Sequence, residues 1–475
     1  DVDRAVFVGI HAGQKASDSN NDGLVAIGYA ASAGTTSGTG NVSVGYSAMG
    51  DATTVHESVA IGYQAMSTHG TGNRNIAIGY QAMTDTNAGS TSAGSTDNIF
   101  IGKLAGGGTW SNSAESNNNV GIGNLVMDAA MNGAEHNTGI GHGVLSALTT
   151  GDRNTVVGTS SGAALESGGY NTILGGGAGK TGTDFYSCVI VGYGACADGN
   201  LATGADGTVA IGYDTLKVLT SGIGNVAIGY NSGKALTTGG QNVAVGSGSL
   251  LTSVDGVANT AIGSRALYTY EGGSGEGYNT AVGFDALLSL TTGQSNVAIG
   301  SQAGDSLQGG DFNVMIGESA GKTTTAASGM VVVGRDAMSS AVQTTAANYT
   351  VGIGYGSLQN LTSGAGNVAV GYQAGTALTT GGRNVFLGHQ AGTENGATQL
   401  TGDDNICIGY QAGLKMEQSA NRNILIGSYA GDGQTVGDDM VFIGYQAGTA
   451  VATTDANGAV AVGNYALTSL TSGIG

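Results

Sequence analysis

The residues that could do chemistry are few. Asp18, Asn20, Asp22 and Gly23 match the opening of the D-x-[DN]-x-[DN]-G loop, in which alternating side-chain oxygens surround calcium. The twelfth position is Tyr29 where the loop needs a bidentate glutamate, so Asp18, Asn20 and Asp22 are candidates for a structural calcium clip only. Trp110, the single tryptophan, stands among Ser, Asn and Gly in GGGTWSNSAESNNN. It either stacks on a sugar ring or packs back onto the fold. The six histidines show no H-x-x-x-H pair, and no G-x-S-x-G elbow occurs. The GGG runs at 106–108 and 175–177 lack the lysine of a phosphate loop. Cys188, Cys196 and Cys407 have no metal-ligand spacing and read as small buried residues. No column of Asp, Glu, His, Lys or Arg persists for general acid–base work, so the chain is not expected to be an enzyme and needs no cofactor beyond that calcium.

What must position these residues is a repeat. The 475 residues contain 90 glycines and no proline, with 40% apolar residues and only 10% charged. A phrase such as SVAIGYQAM (from Ser58), NVAIGYNSG (Asn225), NVAVGYQAG (Asn367) or NICIGYQAG (Asn405) returns 26 times, and 15 of the 25 spacings between its central glycines are 17 residues. The residue before that glycine is always Ile, Val or Leu, and the residue three before it is Val, Ile or Thr. Asn stands four before it in 17 units. Seven residues after it a leucine often appears, as at Leu148, Leu219, Leu290 and Leu361, followed by T-T-G or T-S-G. A short β-branched strand and glycine turns within 17 residues leave no length for a crossover helix. The expected fold is all-β, a parallel β-solenoid of about 26 coils, forming one continuous domain over residues 1–475. Gly141, Gly212, Gly283 and Gly354, each 71 residues apart, mark a four-coil super-repeat over about 137–420, with extra residues at 268–278 and 339–349. The chain starts without Met and stops inside a motif, and is expected to be a fragment of a longer fibre.

Two apolar columns on alternate strand positions predict an inward aliphatic row. The column between them is then outward, yet it is Ala in 11 units and charged in none. A strand apolar on both faces is normally buried on both. Ala60, Ala227, Ala298 and Ala369, with Phe100, Phe386 and Phe442 filling wider places, are therefore expected to form an oligomer interface. Tyrosine follows the glycine in 11 units, a ladder that either closes the coil corner or presents its hydroxyls to a sugar or a surface. The net charge of −19 disfavours nucleic acid, and no apolar run is long enough to insert in a membrane.

The VAIG phrases, with Asn before and Gly and Ala after, resemble the head repeats of trimeric autotransporter adhesins. They are also similar to the N-T/V-A-I-G-Y-x-A arrays of phage tail fibres. The resemblance spans essentially all 26 units. It implies a left-handed β-roll, a homotrimeric fibre on a virion or cell surface, and attachment to a cell-surface glycan or protein receptor. The 17-residue coil is longer than that of adhesin heads, and the Y-Q-A form favours the phage-fibre likeness. The alternatives are a bacterial surface adhesin and a purely structural extracellular filament. Ice binding, which needs T-x-T rows, and polysaccharide degradation are the remaining readings.

Overall fold

The computed structural model describes residues 4–16, 21–86, 94–111, 113–271, 277–393, 399–416, 419–433, 437–449 and 457–468. Among them lie 26 strands of three residues each, from β1 (Val6–Val8) to β26 (Val460–Val462), and no α-helix. Each strand ends at the residue before a repeat glycine, so the 26 sequence units are the 26 coils. The chain divides into two compact units, Asp1–Gln241 with thirteen strands and Asn242–Gly475 with thirteen. Within each unit every strand pairs in parallel with the next, without register slip. Val59↔Ile76, Ala60↔Ala77 and Ile61↔Ile78 show it in the first, and Thr280↔Val297, Ala281↔Ala298 and Val282↔Ile299 in the second.

The repeat glycine is dictated by its stacking. Gly317, at φ +133°, would carry a Cβ only 2.7 Å from the carbonyl oxygen of Gly334 in the next coil. No L side chain fits that spacing or that backbone region. Three further left-handed positions recur from coil to coil, held by ordinary residues in some, as at Gln64 (φ 52°), Met66 (φ 53°) and Arg74 (φ 56°), and by glycine in others, as at Gly177 (φ 66°), Gly179 (φ 57°) and Gly366 (φ 74°). These turn the chain tightly enough to close in 17 residues, at a local cost of about 1 kcal/mol or more for each residue other than glycine. The super-repeat insertions take defined form where described: three-residue 3-10 turns occur at Thr203–Ala205 and, two super-repeats later, at Thr345–Ala347 inside the expected 339–349 loop. In the 268–278 insertion, residues 272–276 fall outside the described set.

The facing of the strands is the reverse of the sequence expectation. The middle residue points into the coil and its β-branched neighbours point out. Ala60, Ala298, Ala369, Phe100, Phe386 and Phe442 are fully buried, and Ala227 is nearly so. These seven residues are the core of their own coils, not an interface. The reason is width. The middle residue shares the interior with the residues three and four after the glycine, such as Ala65 and Met66, with a leucine seven after it, and with the Asn column. In coils such as those of Ala60/Met66 and Ala77/Met83 that space holds one small strand residue opposite one large turn residue, whereas at Ala227/Gly233 and Ala298/Gly304 large side chains of adjacent coils, Leu216 and Leu287, reach into it. Where the strand supplies Phe, the turn supplies Gly: a Cβ on Gly106, Gly392 or Gly448 would collide with the ring of Phe100, Phe386 or Phe442 respectively.

The interior is tied along its length by asparagine. Asn98 N–H and Nδ2–H donate to Asn75 Oδ1 (3.0 and 3.2 Å), and Nδ2–H donates also to Ser116 O (2.9 Å). The same pattern runs through Asn119, Asn137, Asn154 and Asn171, until Cys188 N–H takes the Asn171 oxygen at 3.0 Å. Each buried amide is thereby paired with the coils on either side.

Candidate functional site: the outward face

With the strand middles inside, the outward face of each unit carries the two β-branched columns. Ile27, Ile61, Ile122, Ile140 and Ile228 in the first unit, and Ile262, Ile299, Ile353 and Ile443 in the second, are each 36–40% exposed. Their upper and lower edges are covered by neighbouring coils, so what remains open is the outward end. The residues at the start of each strand are Val, Ile or Thr, and neither column holds a charged residue in any coil. Beside them, across the glycine column, runs the aromatic ladder. Tyr29, Tyr46, Tyr63 and Tyr80 stack at 5.2, 5.1 and 5.2 Å between ring centroids, within 12° of parallel. A second stack in that unit joins Tyr193, Tyr213 and Tyr230. In the other unit Tyr355, Tyr372, His389 and Tyr410 stack at 4.9–5.5 Å. Offset-stacked rings exclude water from one another and leave their edges exposed. Glutamine amides run alongside, Gln81 Nε2 donating to Gln64 Oε1 at 3.0 Å and Gln411 to Gln390 at 2.8 Å.

Charge is set apart from this face in ion pairs between successive coils. Arg74 meets Asp97 through two hydrogen bonds (2.6 and 2.8 Å), as Arg383 meets Asp404 (2.7 and 2.8 Å) and Arg422 meets Asp439 (2.6 and 2.9 Å). The guanidinium hydrogen bonds hold all three carboxylates below their ordinary pKa.

Trp110 is corrected as a ligand contact. It is fully buried, its indole N–H donates to Gly106 O at 3.2 Å, and its ring meets Phe100 edge-on with centroids 6.0 Å apart. A long polar insertion is here the cover of an interior tryptophan. Of the calcium candidates, Asp18 and Asn20 lie outside the described residues; Asp22 Oδ2 accepts from Arg4 at 2.6 Å, which engages one oxygen of the carboxylate. Among the described residues no three His, Cys, Asp or Glu side chains gather as a metal site. Cys188, Cys196 and Cys407 are buried, and desolvation pushes all three thiols up, Cys188 to about 11, which leaves them unreactive.

Period-two alternation does not show the direction of the exposed columns, but the sequence carries one signal for it: Phe in a strand middle coincides with Gly six residues later at Phe7/Gly13, Phe100/Gly106, Phe386/Gly392 and Phe442/Gly448. Compensation of that kind marks two side chains sharing one space. No protein-family model matches the chain, and no curated protein matches it.

Proposed function

We propose that copies of this chain assemble through the Val/Ile face into a fibre shaft that serves attachment to a cell surface. The observation that carries the reading is the uncharged, largely aliphatic double column on the outside of every coil. Solvent-exposed strand faces ordinarily alternate to Thr, Lys or Glu, and an apolar patch of this length marks a contact surface. A second copy is the partner that suits it, because only a surface with the same coil rise keeps its rows in step along the whole face. Trimeric packing about a common axis, as in the adhesin and tail-fibre repeats that the sequence resembles, fits a face formed by one side of the coil. The lack of any persistent column of titratable residues supports contact rather than catalysis.

Attachment is tested by binding of the purified chain to an oligosaccharide array and to intact bacterial and eukaryotic cells. Retention on at least one surface is expected. A chain that self-associates yet binds no glycan and no cell is a mechanical spacer, and the attachment reading falls.

A further inference from the structure

The aromatic column has one gap that differs from its other interruptions. At the position after the repeat glycine the chain carries side chains in 25 coils and a glycine only at Gly176. The next position is also glycine in that coil and the following one, Gly177 and Gly194. Three missing side chains on adjacent coils open a notch of about 330 Å³, lined by Thr159, Ser160, Lys180, Tyr193, Asp198 and Asp214, with Lys217 at its edge. Tyr193 stacks on Tyr213 (5.7 Å) on one side only. Towards Gly176 its ring lies over bare backbone, and it is the most exposed tyrosine of the column, at 66%. A Cβ on Gly176 would sit 3.4 Å from the Tyr193 ring, so the empty place is that of the next ring in the stack.

The notch is also where scarce cations gather. Lys180 and Lys217 are two of only seven lysines in a chain of net charge −19. Lys217 is committed to Asp214 (3.1 Å) and Asp198 (3.6 Å), and Lys234 covers Asp214 from the next coil (3.4 Å). Lys180, exposed, forms no ion pair among the described residues and leaves its ammonium for a ligand.

We infer that this notch binds a pyranose ring, stacked on the open face of Tyr193 in place of the absent ring at Gly176. A sugar has the required two-sided chemistry: an apolar C–H face for the tyrosine, and an edge of hydroxyls for Asp198, Ser160, Thr159 and the exposed glycine backbone. A flat aromatic ligand would leave that polar lining unpaired. Lys180 adds a charge-assisted contact to any carboxylate on the sugar, so a uronate binds more tightly than its neutral counterpart. The inference deepens the attachment reading and rests on it for its biological use, but the notch is built within one unit of one chain and requires no assembly.

The experiment is saturation-transfer NMR on the whole chain with methyl β-D-glucuronide and methyl β-D-glucoside as probes. Both are expected to receive transfer at their ring C–H protons, the glucuronide with the higher affinity. Gly176→Tyr places in the gap the residue that the column carries elsewhere and is expected to fold normally while losing about tenfold or more of the affinity for both sugars. Tyr193→Ala removes the platform from the other side, with the same loss. Lys180→Met is expected to abolish the preference for the glucuronide and leave the glucoside unaffected. Absence of transfer to either sugar overturns the inference, as does undiminished binding by Gly176→Tyr. If the wild type and Gly176→Tyr adhere equally to an array or a cell, the notch is not the receptor site while attachment itself stands.

Discussion

At the scale of single residues, the coil interior works by exchange of volume between a strand position and a turn position. Ala60 faces Met66 and Ala77 faces Met83, whereas Phe442 faces Gly448. Gly448→Met alone overfills its coil and is expected to destabilise it by about 3 kcal/mol, at the upper end of overpacking costs. Phe442→Ala combined with Gly448→Met recreates the Ala/Met pair and is expected to recover more than half of that loss, as read by amide exchange of Val441–Ile443 in a double-mutant cycle. His69 shows the interior's electrostatic side. It occupies a leucine position, fully buried, with Nδ1 at 2.8 Å from Thr86 Oγ1 and Nε2 accepting from Asn75 Nδ2 at 3.0 Å. Burial lowers its pKa from 6.5 to about 4. The unfolded chain therefore takes up the proton first as pH falls. Stability from neutral His69 is complete above pH 6.5, declines below it and is lost through pH 4, by about 3 kcal/mol in total. Urea unfolding from pH 7 to pH 4 is expected to show that decline, and His69→Gln to flatten it; equal slopes in the two proteins would contradict the assignment.

At the scale of elements, the coil boundaries were legible and the facing was not. The 26 repeat glycines mark the 26 strand ends because all sit at a φ between 126° and 147° and all but Gly463 stack where no side chain fits, and a steric requirement of that kind leaves an invariant letter. The facing of Val59, Ala60 and Ile61 left no such letter, since all three are apolar and period two alone does not tell inside from outside. Left-handed turns at Gln64, Met66 and Arg74 were equally hidden, because those residue types do not announce a positive φ. Trp110 lay in a segment whose composition reads as a loop, and its burial depends on the neighbouring Phe100, which pattern reading cannot see. The Asn column was visible as a column, but its role emerges only from the hydrogen bonds. Asn137 receives Asn154 N–H and Nδ2–H on one oxygen (3.0 Å each) and donates to Asn119 Oδ1 and Gly151 O. Asn137→Ala orphans partners in both neighbouring coils and is expected to cost about 2–3 kcal/mol. Asn171→Ala, at the end of its run where Cys188 supplies only a backbone N–H, is expected to cost about 1 kcal/mol less in the same urea titration.

At the scale of the whole molecule, the composition takes on its meaning from the outward face. The strand middles that face the interior are mostly Ala or Gly, beside buried Leu and Met from the turns, while the β-branched residues flanking them stand on the outside, where a lone chain has no use for them. Ile122→Lys with Ile140→Lys, on neighbouring coils of that face, is expected to break self-association with the coil fold intact by circular dichroism, because both side chains end in solvent. Gly139→Lys, between them in sequence but facing inward, is expected to damage the fold itself, since a Cβ there already approaches the Met127 and Val126 side chains at 2.9 Å. The most direct test of the central claim, that the aliphatic face is covered by further copies of this chain, is the mass of the purified protein by sedimentation equilibrium at micromolar concentration. The expected mass is a defined multiple of 46.3 kDa that collapses to 46.3 kDa in the Ile122→Lys/Ile140→Lys protein. A wild-type chain that sediments at 46.3 kDa would contradict it.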